Sequence, residues 1–206
     1  ERLHPWGTGV DFIKRNWYGS FINFSIGYRT YKNDFSSGRQ QENSYYASFD
    51  KPLVSPYFRW IGGLDVSYNK TQNNYFPDSL YKHLVKYGYG KADGWFGYNF
   101  GAGKLTKTGV EERTRKLGAV RVFYQRFDDI PQKVRDTFDY RFSNVSGVLG
   151  SFIVFRQNFT RTNFIYGFGR NEDVPQGFNI AVLGGWISKK DSISSDVRKR
   201  PYFGID

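Results

Sequence analysis

Apolar and polar side chains alternate along most of this chain, and a two-residue period predicts β-strands with two unlike faces. Between residues 20 and 31, Ile22, Phe24, Ile26 and Tyr28 fall on one side and Asn23, Ser25, Gly27 and Arg29 on the other. Residues 44–50 set Tyr45, Ala47 and Phe49 against Tyr46, Ser48 and Asp50. The clearest alternation runs over 59–70, with Leu64, Val66 and Tyr68 opposed to Gly63, Asp65, Ser67 and Asn69. Residues 83–100 predict one long strand or two shorter ones. Residues 115–127 predict another, in which Val120, Val122 and Tyr124 oppose Arg121, Phe123 and Gln125. A less clearly phased strand follows at 145–159, and a hairpin after it. The hairpin has an aromatic strand at 163–168, a polar turn at 169–177 set by Gly169, Pro175 and Gly177, and a return strand at 178–186. That return strand alternates Phe178, Ile180, Val182 and Trp186 with Asn179, Ala181 and Leu183.

Residues 1–19 read as loop with one short strand, and 33–41, 71–82, 101–113 and 128–135 as connections. Two prolines end a strand within 51–56. The tail from 188 is a charged loop followed by the start of a strand at Pro201, Tyr202 and Phe203. Roughly eight or nine strands of this kind admit either a soluble sandwich or small barrel, or a membrane barrel with an apolar outside and a polar lumen. Large aromatics on one face, tyrosine and tryptophan near strand ends, and unequal connection lengths favour the membrane barrel. On that reading Ile22, Phe24, Ile26, Leu64, Val66, Val120, Val122, Ile180 and Val182 face lipid. Asn23, Arg29, Asp65, Asn69, Arg121 and Gln125 face the lumen.

Composition agrees with an all-β chain: of 206 residues, 20% are aromatic and 23 are glycine, while helix formers are scarce. The absence of cysteine excludes a disulfide scaffold, a thiolate metal site and a cysteine nucleophile. No apolar run is long enough for a transmembrane helix and no signal peptide is evident. The opening at Glu1, without methionine, reads as a processed chain or a fragment. The net charge of +11 suits nucleic acid or an anionic surface, but its cations are dispersed through connections, as in Lys104, Lys107, Arg113, Lys189, Lys190 and Arg198.

Several segments, in order, carry a family resemblance. FDKPLVSPYFRWIGGLDVSY at 49–68 resembles a strand, a proline-bounded periplasmic turn and a tryptophan-led return strand of the BamA/TamA superfamily of outer-membrane assembly factors, the bacterial surface-antigen type. GWFGYNFG at 94–101 is similar to the next strand and RTRKLGAVRVFYQRFDDIP at 113–131 to the one after. GRNEDVPQG at 169–177 resembles an acidic-Asp-Val-Pro-x-Gly turn between mid-barrel strands, carried here by Glu172, Asp173, Val174, Pro175 and Gly177. The resemblance covers most of 18–186. It implies an all-β fold: an antiparallel transmembrane β-barrel of which residues 1–206 form a single, incomplete segment, roughly the first 8–10 strands. The family's periplasmic repeat domains and its Arg-Gly-aromatic loop tip have no counterpart in the sequence, which fits a partial barrel.

The resemblance further implies a location in the bacterial outer membrane and a part in inserting or translocating proteins there. It implies no enzymatic activity and no cofactor. The expected partners are outer-membrane lipid and client or partner proteins of the cell envelope, with no nucleic acid. Two other classes stay open on the residues: a porin or barrel enzyme of the same membrane, and a soluble basic β domain that binds single-stranded nucleic acid by ring stacking.

Catalytic chemistry is thin. His4 and His83 lie near no serine or cysteine in a recognised arrangement. GYNFGAGKL at 97–105 has the wrong glycine spacing for a phosphate loop, and Leu105 stands where a serine or threonine should follow the lysine. Glu111 with Glu112, and Asp128 with Asp129, read as solvated loop pairs rather than a dyad. Glu172 and Asp173 are expected to order their turn by accepting backbone donors.

Overall fold

Alternating β-branched and aromatic residues favour extended backbone over most of the chain. The computed structural model describes residues 7–32, 41–53, 58–73, 76–100, 114–136, 139–163, 171–191 and 197–206. Its strands are β1 (Thr8–Lys14), β2 (Asn23–Lys32), β3 (Gln41–Lys51), β4 (Trp60–Gln72), β5 (Gly88–Asn99), β6 (Thr114–Asp129), β7 (Asn144–Asn163), β8 (Asn171–Lys190) and β9 (Val197–Ile205). They form one nine-stranded sheet whose spatial order equals the sequence order. Every ladder is antiparallel, so each strand pairs with the next in a meander. The sheet is open, with β1 and β9 at its edges.

The register carries the alternation from strand to strand. Phe24, Phe49, Leu64, Gly94, Val122, Val148 and Trp186 share one rung and therefore one face. The neighbouring positions Ser25, Ser48, Asp65, Asp93, Phe123 and Gly147 share the other.

Several boundaries differ from the sequence reading. Glu172, Asp173, Val174, Pro175 and Gly177 are not in a turn: they lie in β8, paired with Thr162, Arg161, Thr160, Phe159 and Gln157 of β7. The strand expected at 145–159 does not end there either. β7 is continuous to Asn163, and 164–168 lie outside the described residues. The expected loop at 71–82 gives β4 its last residues and then helix α1 (Asp78–Leu84), so the strand expected from 83 starts only at Gly88. The turn around Pro131 holds helix α2 (Gln132–Asp136). Ile22 precedes β2, with its carbonyl accepting the Trp17 amide at 2.8 Å.

The connections bearing α1 and α2 emerge from the same end of the sheet, the cap end. There Tyr87, Tyr89, Phe127, Val134 and Phe142 form a buried cluster with Ile130 against it. The Tyr81 hydroxyl of α1 donates to the Thr71 carbonyl at 2.8 Å, tying the helix to the end of β4.

Candidate functional site: a strand wall with two unlike faces

The apolar face has a constant layout. β4 runs Lys70, Tyr68, Val66, Leu64, Gly62, Trp60 along it, and β6 runs Arg126, Tyr124, Val122, Val120, Gly118, Lys116. β7 presents Val148, Gly150, Phe152 and Val154 between Ser146 and Arg156. Each apolar stretch with its polar ends spans about nine to eleven residues, the length a tilted strand needs to cross the hydrocarbon of a bilayer. Tyr28, Tyr45, Tyr68, Tyr124 and Trp186 mark the cap-end border of the band. Trp60 and Tyr98 mark the far border, their rings 4.5 Å apart, and Trp17 packs there on Phe24 and Phe49. Leu64, Val66, Val122 and Val182 are 44%, 45%, 52% and 40% exposed, so among the described residues no second layer covers this face. Every expected lipid-facing residue except Ile22 lies on it, namely Phe24, Ile26, Leu64, Val66, Val120, Val122, Ile180 and Val182.

The opposite face holds all of Asn23, Arg29, Asp65, Asn69, Arg121 and Gln125. Arg29 donates to Asp11 at 2.8 and 3.3 Å and to the Tyr46 hydroxyl at 3.0 Å, and that hydroxyl donates in turn to Asp11. This triad ties edge strand β1 to β2 and β3. Arg121 grips Asp93 with paired hydrogen bonds of 2.8 and 2.5 Å, joining β5 to β6. Asn69 donates to the Ser67 hydroxyl at 3.2 Å. Between these polar groups, large side chains sit directly across from glycines: Tyr46 from Gly27, Trp95 from Gly63, Ile61 from Gly97, Phe123 from Gly147 and Leu149 from Gly185. At Gly63 an added methyl would stand 2.6 Å from the Trp95 ring nitrogen, so the glycine is what lets the indole lie over the strand.

At the cap end the polar face closes over a carboxylate. Glu42 is fully buried and accepts the Tyr87 hydroxyl at 2.6 Å and the Tyr89 hydroxyl at 3.1 Å. Of the acidic pair expected as solvated, Asp129 bonds Lys86 at 2.5 Å, while Asp128 is half-exposed with Arg126 4.0 Å away. The Asp129 contact raises the Lys86 ammonium above its ordinary value. In the 3₁₀ turn Tyr140–Phe142, the Arg141 guanidinium beside Asp139 holds its carboxyl below the usual aspartate value.

His83 sits exposed in the last turn of α1, and among the described residues no three histidine, cysteine, aspartate or glutamate side chains converge as metal ligands. His4, Glu111 and Glu112 lie outside the described residues, as do the side chains of Glu172 and Asp173. Of the candidate glycine-rich loop at 97–105, Gly97 lies in β5 and 101–105 lie outside the described residues. Sequence reasoning missed Asp11, Tyr46 and Asp93 as partners of the arginines, and the Glu42 cluster. Asp93 was findable: Lys91, Asp93 and Trp95 alternate with Ala92, Gly94 and Phe96 just as in the flanking strands. No protein-family model, no curated protein and no solved structure matches the chain.

Proposed function

We propose that this chain is a wall segment of a bacterial outer-membrane β-barrel of the BamA/TamA type, which takes part in inserting or translocating proteins at that membrane. The observation that carries the membrane reading is the uncovered apolar face, bordered by aromatics and charges at both ends of its strands. Burying a large apolar side chain gains about 1.5–3 kcal/mol. Leaving a face of this breadth in water forfeits on the order of tens of kcal/mol, against a typical net stability of roughly 5–15 kcal/mol. In hydrocarbon that loss disappears. The polar face, with its paired arginines, then lines an aqueous lumen. Because hydrocarbon offers no hydrogen bonds, the reading requires further strands to pair with β1 and β9.

The protein-insertion activity rests on the ordered segments at 49–68, 94–101, 113–131 and 169–177 that resemble the assembly factors.

Fractionation and depletion test the two parts separately. The protein should remain with outer membranes after a high-salt wash and require detergent for extraction. Depleting it should lower the amount of other folded outer-membrane β-proteins. A chain that stays in solution without detergent, and binds oligonucleotide with steep salt dependence, overturns the membrane reading. Normal assembly of other barrels after depletion leaves a passive channel and removes the insertion activity.

A further inference from the structure

We propose that the turn joining β1 to β2 is an anchor in the headgroup layer of the bilayer, with the Tyr18 ring seated among lipid headgroups at the far end of the apolar face. The proposal rests on the membrane reading of that face. Three residues of this turn other than glycine take left-handed backbone: Asn16, Tyr18 and Phe21, at φ 51°, 49° and 59°. Asparagine accepts that conformation readily, whereas tyrosine and phenylalanine do so at a cost of about tenfold each in the folding equilibrium. The strain is held by hydrogen bonds. The Asn16 side chain accepts the Phe21 amide at 2.9 Å, the Trp17 amide donates to the Ile22 carbonyl at 2.8 Å, and the Ser20 hydroxyl and amide both donate to the Trp17 carbonyl. What this fixed turn presents is Tyr18, 93% exposed.

A ring so exposed recovers little from its own chain, and glycine would take the same backbone without strain. The surroundings single out the occupant. Trp17, whose ring lies 6.0 Å from that of Tyr18, packs on Phe24 and Phe49, which places the turn at the far border of the apolar band. Phe21 packs on Phe58 at 5.0 Å, and Lys51 reaches over the Phe58 ring at 5.9 Å. Lys14 and Lys51 lie on the outward face through their pairings with Phe24 and Gly62, while Arg15 and Arg59 are exposed. No aspartate or glutamate occurs in 14–22 or 51–62. Aromatic rings with polar tips, set among cations at the edge of an apolar wall, match the layer where ester and phosphate oxygens lie against hydrocarbon. Seated there, the Tyr18 ring meets acyl carbons while its hydroxyl bonds to those oxygens, which offsets the strain of its backbone.

The chain has no cysteine, so Tyr18→Cys and Val122→Cys each carry a single nitroxide label. With the full chain in phosphatidylcholine vesicles, relaxation of the label by oxygen, which concentrates in hydrocarbon, and by a water-soluble nickel chelate reads its depth. The label at 122 should respond to oxygen alone and the label at 18 to both, as a site among headgroups does. Tyr18→Trp should leave the folding equilibrium in the same vesicles unchanged. Tyr18→Ser, which removes the ring, should lower it by about fivefold, whereas a side chain standing in water would change it by about twofold or less. A label at 18 that responds as in bulk water overturns the proposal. So does one shielded from both reagents by a second copy of the chain, or a Tyr18→Ser variant that folds as well as the unaltered chain. If 122 reads hydrocarbon and 18 reads water, the anchor alone fails. If both read water, the membrane reading fails with it.

Discussion

Arg121 and Asp93 meet diagonally across the β5–β6 ladder through paired hydrogen bonds of 2.8 and 2.5 Å, one residue away from Val122 and Ala92, which point to the opposite face. A bidentate pair so placed favours the observed register, because slipping either strand by one residue would carry its charge onto the apolar face and part it from its partner. Their side chains are 13% and 54% exposed for Asp93 and Arg121, so solvent screens the pair. A double-mutant cycle with Asp93→Asn and Arg121→Gln should give a coupling of about 0.5–1 kcal/mol in urea unfolding from bilayers. A coupling of zero would mean that the pairing is incidental to the ladder.

The glycine opposite Phe123 should not accept a side chain. A methyl on Gly147 runs into the Phe123 ring, whereas a methyl on Gly150, on the other face, meets only the Gly184 carbonyl oxygen at 3.8 Å. Gly147→Ala is expected to destabilise by about 1–3 kcal/mol. Gly150→Ala should be neutral or stabilising by up to about 1 kcal/mol. Equal effects of the two would contradict the difference in packing between the faces.

Charge placed on each face distinguishes lipid from water. Val122→Arg, mid-band on β6, should cost about 2–4 kcal/mol if that face meets hydrocarbon. Gln125→Arg on the polar face should stay within about 0.5 kcal/mol. A soluble sheet would show the reverse ordering, since arginine on an exposed apolar patch improves solubility at little cost. Folding from urea into vesicles, followed by the mobility of heated and unheated samples, reads both variants.

The cap should loosen at both extremes of pH. Arg141 lowers the Asp139 carboxyl relative to the unfolded chain, so this contribution is present above the unfolded value and is lost as pH falls through the lowered one. Asp129 raises Lys86, whose contribution is complete below the ordinary lysine value and is lost as pH rises through the raised one. Asp139→Asn should remove the acid limb of amide-exchange protection around Tyr140–Phe142 and leave the alkaline limb intact. Survival of the acid limb in that variant would assign it to other groups.

Much of the wall was legible from residue types alone, since pleated backbone throws successive side chains to opposite sides whatever the neighbours are. Phe24, Leu64, Val122 and Val182 therefore kept the face their spacing predicts, as did Arg29, Asp65 and Arg121. Strand ends were not legible in the same way. Pro175 reads locally as a breaker, yet it lies within the β7–β8 ladder opposite Phe159, a pairing no local signal reveals. α1 and α2, seven and five residues long, are too short to show a helical period, and α1 is anchored by Tyr81 on Thr71.

The sequence by itself determined that the strands have two unlike faces and which residues occupy each, because a period of two is a property of one strand and needs no partner. Tertiary structure alone decided the register, the burial of Glu42 beneath Tyr87 and Tyr89, and the pairing of Arg121 with Asp93. Each of these depends on side chains from separate strands meeting at one height. That height is set by how whole strands pair and where they stop, and no single strand carries that information.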